Sequence, residues 1–270
     1  MNKPGESMDE ARQALNDDEV RGRIAAVPHW YHRIEVRPGI VTPGTNDTRP
    51  LFERLDLPSD CTGLSVLDVG TRDGFFAFEL ERRGAKVFPI DYAPPGATGF
   101  GVAAELLGSR LDYQQMDIYD LSPRLHGTFD IVLFLGVFYH LPDPLRALRL
   151  LRTLCRGRMV LETHILDPKG FLLPTGELVP LASVAPVLAE IPILQFYPGD
   201  SLCGDYTNYW APNLVCLQAM LEEAGFRVAR QTTLGSRALV ECVRGPASPK
   251  APQDRLMRGL STDPEYDPEA

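Results

Sequence analysis

The sequence contains no C-x-x-C pair. Its five cysteines, Cys61, Cys155, Cys203, Cys216 and Cys242, are scattered along the chain. That argues against a zinc ribbon or a disulfide framework and leaves buried or incidental thiols in a reducing cytoplasm as the expectation. No metal site is expected. Basic excess is lacking too, because 27 Lys and Arg stand against 36 Asp and Glu, a net charge of −9. Such a balance gives no global field that attracts nucleic acid or an anionic membrane. The N-terminus shows no apolar segment of the secretory kind. Residues 178–197 are almost uncharged, but Pro180, Pro186 and Pro192 interrupt them, and a spanning helix needs about 20 predominantly apolar residues in regular helix. These absences lead us to expect a cytoplasmic location and a small-molecule partner, and they leave the oligomeric state open. With 270 residues, 44% of them hydrophobic, one sizeable core fits, with chain left for a cap and tails.

What is present centres on Val66-Leu67-Asp68-Val69-Gly70-Thr71-Arg72-Asp73-Gly74-Phe75-Phe76 and on Lys86-Val87-Phe88-Pro89-Ile90-Asp91. An apolar run ending in an acid, a glycine-bearing turn, a helix and a second run ending in Asp91 are how an α/β fold makes a nucleoside pocket. Gly70 and Gly74 allow a tight turn and close approach of backbone to ligand. Asp91 has the chemistry to accept both hydroxyls of a ribose. The spacing D-x-G-x-x-x-G is not the G-x-G-x-x-G of a pyrophosphate cradle. A nucleoside without phosphates fits better, and S-adenosylmethionine (SAM) is the common case.

The rest of the chain reads as support and cover. Residues 1–24 are acidic and poor in large apolar side chains, a frayed or loosely helical lead-in. Trp30, Tyr31 and His32 lie in an aromatic segment ahead of the first strand, either a substrate lid or a helix packed over the sheet. A helix is expected from Gly74 to Arg83 and a shorter one from Val102 to Leu107. Leu111–Met116 alternates like a strand and delivers Asp117 to the edge reached by Asp68 and Asp91. Phe129–Leu135 is continuously apolar, the mark of a strand buried on both faces. It leads to Tyr139 and His140. Asp143 and Pro144 then suit the N-cap and first position of a helix with an arginine row, Arg146, Arg149 and Arg152. Met159–Glu162 forms a fifth strand, bringing Thr163 and His164 to the same edge. Residues 166–211 break the alternation and are expected to fold as a cap, which ends in an aromatic and amide cluster containing Asn208 and Trp210. A last helix from Leu214 and a hairpin, Phe226–Thr232 with Arg237–Val243, close the domain at about residue 245. The proline-rich, acidic residues 246–270 read as a disordered tail.

By these residues the chain resembles the class I SAM-dependent methyltransferases. The closer likeness is to the bacterial enzymes that modify wobble uridine in tRNA and to their short stand-alone relatives. It rests on Val66-Leu67-Asp68-Val69-Gly70, Gly136-Val137-Phe138-Tyr139-His140, Val160-Leu161-Glu162-Thr163 and Asn208-Tyr209-Trp210-Ala211-Pro212. The resemblance implies a Rossmann-like seven-stranded sheet in the order 3-2-1-4-5-7-6 with the last strand antiparallel. It implies that Asp68, Gly70 and Thr71, with Gly74 in the same turn, line the methionine part of SAM, and that Asp91 binds the ribose. Met116 and Asp117 would flank the adenine, Leu135 would contact the cofactor, and Tyr139 would meet the sulfonium end. The family's N-terminal lysines and late arginine find no match, so ordinary SAM rather than its carboxylated form is expected.

Methyl transfer needs alignment, exclusion of water and, for an O or N acceptor, removal of a proton. His140 and His164 are candidate bases, because each follows the C-terminal end of a strand. Trp30, Tyr31, His32, Phe134, Asn208 and Trp210 are candidate substrate contacts. The leading expectation is methylation of a small molecule in specialised metabolism. Three others stay open: cyclisation of SAM's own side chain to an azetidine with release of methylthioadenosine, tRNA modification using Arg146, Arg149, Arg152, Arg156 and Arg158, and non-catalytic SAM binding.

Overall fold

The computed structural model describes residues 15–167 and 170–246. The expected C-terminal tail and the first 14 residues of the expected lead-in lie outside the described residues. The chain divides into two compact units, the first ending at Ile118 and the second beginning at Tyr119.

In the first unit the lead-in is a formed helix, α1 (Asp17–Ala25), where the composition suggested fraying. Asn16 and Glu19 make a reciprocal capping box, and Asp17, Asp18 and Glu19 occupy the first turn, where acids are favoured by the helix dipole. Of the two alternatives, frayed or loosely helical, the described part is helical, and its acids are start signals. Val20 and Ile24 are its buried residues, and the Trp30 indole N–H donates to Ile24 O at 2.9 Å. A short ribbon, β1 (Glu35–Arg37) with β2 (Ile40–Val41), and α2 (Arg49–Arg54) follow. Strand β3 (Ser65–Val69) leads through the glycine turn into α3 (Phe75–Arg82), and β4 (Lys86–Asp91) lies parallel beside β3. Helix α4 (Phe100–Leu107) ends on left-handed Gly108. The strand expected over 111–116 is reduced to β5 (Gln114–Gln115), paired with Ile90 and Asp91. Tyr113 points its hydroxyl back to Ala93 O at 2.7 Å.

The second unit opens with α5 (Pro123–His126) and β6 (Phe129–Leu135). Helix α6 (Pro144–Leu154) has Asp143 as its N-cap and Pro144 at its first position, and it buries Ala147, Leu148, Leu151 and Leu154. Strand β7 (Cys155–His164) is longer than its apolar core Met159–Glu162, because it pairs with two neighbours. The cap is made of small pieces. They are the ribbon β8 (Phe171–Leu172) with β9 (Leu178–Val179), the single turn α7 (Leu181–Val184), and the ribbon of β10 (Leu194–Phe196) with β11 (Trp210–Pro212). Leu166, Leu181, Tyr197 and Ala211 form a small core of their own, with Phe171, Leu172, Leu188, Ile193 and Leu202 packed against it. Helix α8 (Leu214–Glu223), capped by Asn213, precedes the hairpin β12 (Phe226–Leu234) and β13 (Arg237–Arg244), and β13 runs antiparallel to β7.

The main sheet has seven strands in the order β12-β13-β7-β6-β3-β4-β5. That is the sheet expected, with the C-terminal strand antiparallel. Among the described residues no helix is long and apolar enough to cross a membrane.

A tight contact in the first unit is testable. A Cβ on Gly99 would lie 2.2 Å from the Trp30 ring, and overpacking of this kind costs about 1–3 kcal/mol. Gly99→Ala should therefore lower the unfolding free energy by that amount, read as a lower urea midpoint with an unchanged m-value. A midpoint equal to wild type would show that this ring is not fixed against the loop.

Candidate active site

In the first unit the turn after β3 is built for close approach. Gly70 and Gly74 have φ of 76° and 90°, the left-handed region where a Cβ is penalised. At Gly74 an added Cβ would also stand 2.5 Å from the Phe78 ring. The amides of Gly70 and Thr71 both donate to Ile90 O, at 2.9 and 3.0 Å, which ties the turn to the end of β4. Asp91 is 5% exposed. Its Oδ2 accepts from the Arg72 amide and its Oδ1 from the Ala93 amide, each at 2.9 Å. Each carboxylate oxygen keeps a second lone pair, which is what two ribose hydroxyls require.

Two polar atoms in this turn have no partner. Asp68 Oδ2 and Thr71 Oγ1 are buried and make no hydrogen bond, a state that costs about 1–3 kcal/mol per group. Burial pushes the Asp68 carboxyl up to about 7; the Thr71 hydroxyl, near the carboxyl but outside normal hydrogen-bond geometry, opposes the rise, and the Asp91 charge adds to it. An acceptor and a hydroxyl kept dry and unpaired fit the ammonium and carboxylate of an amino acid. The residues present therefore fit the methionine part of SAM. Met116 is half-buried, with its amide donating to Asp91 O at 2.8 Å, and Asp117 is exposed beside it.

Asp73, which carried no expectation, is fully buried. Its Oδ2 accepts the amides of Tyr31 and His32 at 2.7 and 2.8 Å, and its Oδ1 accepts the Gly99 amide at 2.7 Å. One carboxylate thus ties the N-terminal aromatic segment and the loop before α4 to the turn that carries Asp68 and Thr71. His32 is enclosed by Tyr31, Phe75 and Phe76, with ring centroids 5.0 to 6.2 Å away, and its Nδ1 is buried without a partner. Burial pushes its pKa down to about 4 against the pull of Asp73, so the ring is neutral. Trp30 is a correction. At 3% exposure with its N–H satisfied, it packs the unit and presents no surface to a substrate. Tyr31, 40% exposed, is free to do so.

In the second unit Tyr139 and His140 follow β6 in a single 3₁₀ turn, Phe138–His140. Their rings lie 4.1 Å apart. Arg237, at the start of β13, forms a part-buried bidentate pair with the buried Glu162 of β7. Its Nη2 donates to the Tyr139 hydroxyl at 3.3 Å, and its guanidinium sits 4.9 Å from the Tyr139 ring centre. Burial alone would pull the Arg237 pKa down, but Glu162 and Tyr139 more than offset it and the net shift is upward. His164, opposite Arg237 across the strand pair, faces the rings of Tyr139 and Tyr197, each at 6.4 Å.

The end of the cap docks on the same turn. The Tyr209 amide donates to Tyr139 O at 2.8 Å, the Trp210 indole to Leu141 O at 3.1 Å, and His140 Nδ1 lies 3.0 Å from Thr207 O. The Trp210 and Phe196 rings lie 5.0 Å apart, tilted by 54°. Asn208 is 7% exposed and its amide nitrogen donates to Leu202 O, which makes it a brace of the loop. Phe134 is a further correction. It has no exposed surface, and a side chain lining an open pocket keeps some. Leu135, next to it, is half-buried at the strand's end.

The arginine row is used internally. Arg146 lies over the Tyr119 ring, Arg149 pairs with Glu223, Arg156 with Asp130 and Arg158 with Glu241, while Arg152 donates to Gly225 O and Gly245 O. Asp73, Arg237, Asp205 and Thr207 had no signal in the sequence. Each is an ordinary residue whose partner lies far along the chain or in an irregular loop.

A family model described as a methyltransferase domain matches residues 44–231, and the chain belongs to this family. With the sheet order and the glycine turn, it is a class I methyltransferase domain, whose cofactor is SAM. It is 29% identical over 171 residues to a ubiquinone biosynthesis O-methyltransferase of Alkalilimnicola ehrlichii, covering 61% of this chain and 66% of that protein. Against the protein of the same name from Aeromonas salmonicida the identity is 34% over 129 residues, covering 44% and 53%. The chain thus spans about half to two thirds of the curated relatives it matches. Among solved structures, the N-terminal domain of EvdMO1 with S-adenosylhomocysteine superposes with a TM-score of 0.60 at 18% identity, covering 86% of this chain and 98% of that one. Magnesium protoporphyrin IX methyltransferase from Synechocystis gives 0.51 at 17%, covering 88% and 99%. At these identities the structures speak for the fold alone.

The raised pKa of Asp68 has a direct consequence. A cationic amine beside it favours the ionised form, so below a free-protein pKa of about 7 a proton competes with the ligand. SAM affinity should be level above that value and drop about fivefold between pH 7 and pH 6. Titration calorimetry would measure this, and Asp68→Asn should bind more weakly with the pH dependence lost. A wild-type affinity that stays constant down to pH 5 would contradict the assignment.

Proposed function

We propose that this chain catalyses SAM-dependent methylation of a small-molecule acceptor, that the atom methylated is a hydroxyl oxygen, and that His140 removes its proton. The observation that carries the reading is His140 itself. Burial lowers its pKa, against the raising effect of Thr207 O and of Asp205, and Arg237 lowers it further. The imidazole is therefore unprotonated at neutral pH and able to accept. The O-methyltransferase relatives, at 29% and 34% identity, point to the same acceptor atom.

When bound, SAM supplies a methyl carbon on a positive sulfur. Its sulfur would keep the electron pair of the carbon–sulfur bond as the methyl group moved to the acceptor oxygen, and His140 would take the hydroxyl proton. Asp68 and Thr71 hold the amino acid end and Asp91 the ribose. The Glu162–Arg237 pair braces the Tyr139 ring. A compact acceptor in specialised metabolism suits the acidic chain and its apolar cap. The tRNA reading draws no support from the arginine row, because those side chains already have partners inside the unit.

The test is to incubate the purified protein with SAM, alone and with a small-molecule extract of its host, and to identify the nucleoside product by mass spectrometry. S-adenosylhomocysteine formed only with extract is the expected outcome. Methylthioadenosine from SAM alone, above its spontaneous rate, would mean that the other carbon–sulfur bond is cleaved and the methyl group is not transferred.

A further inference from the structure

His140 Nδ1 lies 3.0 Å from Thr207 O and 2.9 Å from Thr207 Oγ1. A backbone carbonyl only accepts, so the first contact is favourable only if Nδ1 carries the hydrogen. The second contact says the same. Thr207 Oγ1 has one hydrogen and lies 2.6 Å from Asp205 Oδ1, and the Thr207 amide donates to that same oxygen at 2.8 Å. These bonds hold the Asp205 carboxyl below the usual carboxylate range, the Thr207 hydroxyl contributing most. An ionised carboxylate can only accept, so the hydroxyl hydrogen goes to Asp205 and leaves Oγ1 lone pairs turned to Nδ1. In a neutral imidazole whose Nδ1 is a donor, the bare nitrogen is Nε2.

We propose that Asp205 and Thr207 are positioning residues that hold His140 in its Nδ1–H tautomer, so that Nε2 is the nitrogen that takes the acceptor's proton. This rests on the assignment of His140 as the base. The relay runs carboxylate, hydroxyl, imidazole. It orients the ring before reaction and stabilises the imidazolium afterwards, since the Asp205 charge acts on it through the hydroxyl. The charged and titratable groups facing His140 are Asp205, Arg237 and Tyr139. Asp205 favours the charged imidazole and Arg237, which is paired with Glu162, opposes it.

Two-bond ¹H–¹⁵N spectra of selectively labelled protein report the tautomer without cofactor or acceptor. A free neutral histidine side chain favours the Nε2–H form, so an Nδ1–H signature for His140 in the wild type is the distinctive expectation. Thr207→Val should lower the Nδ1–H fraction and reduce kcat on the order of tenfold, with KM for SAM unchanged. Thr207→Ser should restore both. Asp205→Asn should move the acidic limb of the kcat/KM profile about half a unit toward lower pH, because an imidazole without its carboxylate is easier to deprotonate. An Nε2–H wild type, or Val and Asn variants that match the wild type in spectrum and profile, would overturn the proposal. A His140→Gln enzyme with full turnover would overturn the base assignment, and the proposal with it, whatever the spectrum.

Discussion

The Asp73 carboxylate holds three backbone amides from two separate segments, those of Tyr31, His32 and Gly99. Hydrogen bonds to a charged acceptor contribute about 1.5–3 kcal/mol each, and here no water competes for the acceptor. The Trp30 ring then fills the space above Gly99 that any side chain would occupy. Because Asp73 sits in the turn that also carries Gly70, Thr71 and Gly74, the aromatic segment is registered against the cofactor loop. The first unit's ligand-binding geometry follows from this constraint.

The two units show opposite uses of burial. In the first, the dry environment of Asp68 and Thr71 leaves polar atoms without partners and lifts a carboxyl up to about 7. That is a cost which a charged ligand such as an amino acid zwitterion would relieve. In the second, Arg237 is paired with Glu162, His140 Nδ1 contacts Thr207, and the Thr207 hydroxyl contacts Asp205, so these polar groups have partners within the protein.

Much of the fold was legible in the sequence. The apolar runs ending in Asp68 and Asp91, the continuous run Phe129–Leu135 and the Asp143–Pro144 start signal each act locally, and each appears where the pattern placed it. The candidate site was less legible. Trp30 and Phe134 were grouped with substrate contacts because aromatic composition does not say which way a ring points, and both are packed inside. Asp17, Asp18 and Glu19 suggested a frayed or loosely helical lead-in because charge density was weighed ahead of their place in a capping box. Asp73 and Arg237 act through partners 26 to 98 residues away, and no spacing rule in a single sequence reports such pairs.

A crystal structure of the protein with S-adenosylhomocysteine tests the central claim most directly. The account predicts the amino acid end of the ligand within about 3 Å of Asp68 Oδ2 and Thr71 Oγ1, so that both buried atoms gain partners, and the ribose hydroxyls on Asp91. A nucleoside bound elsewhere, with Asp68 and Thr71 still unpaired, would contradict it.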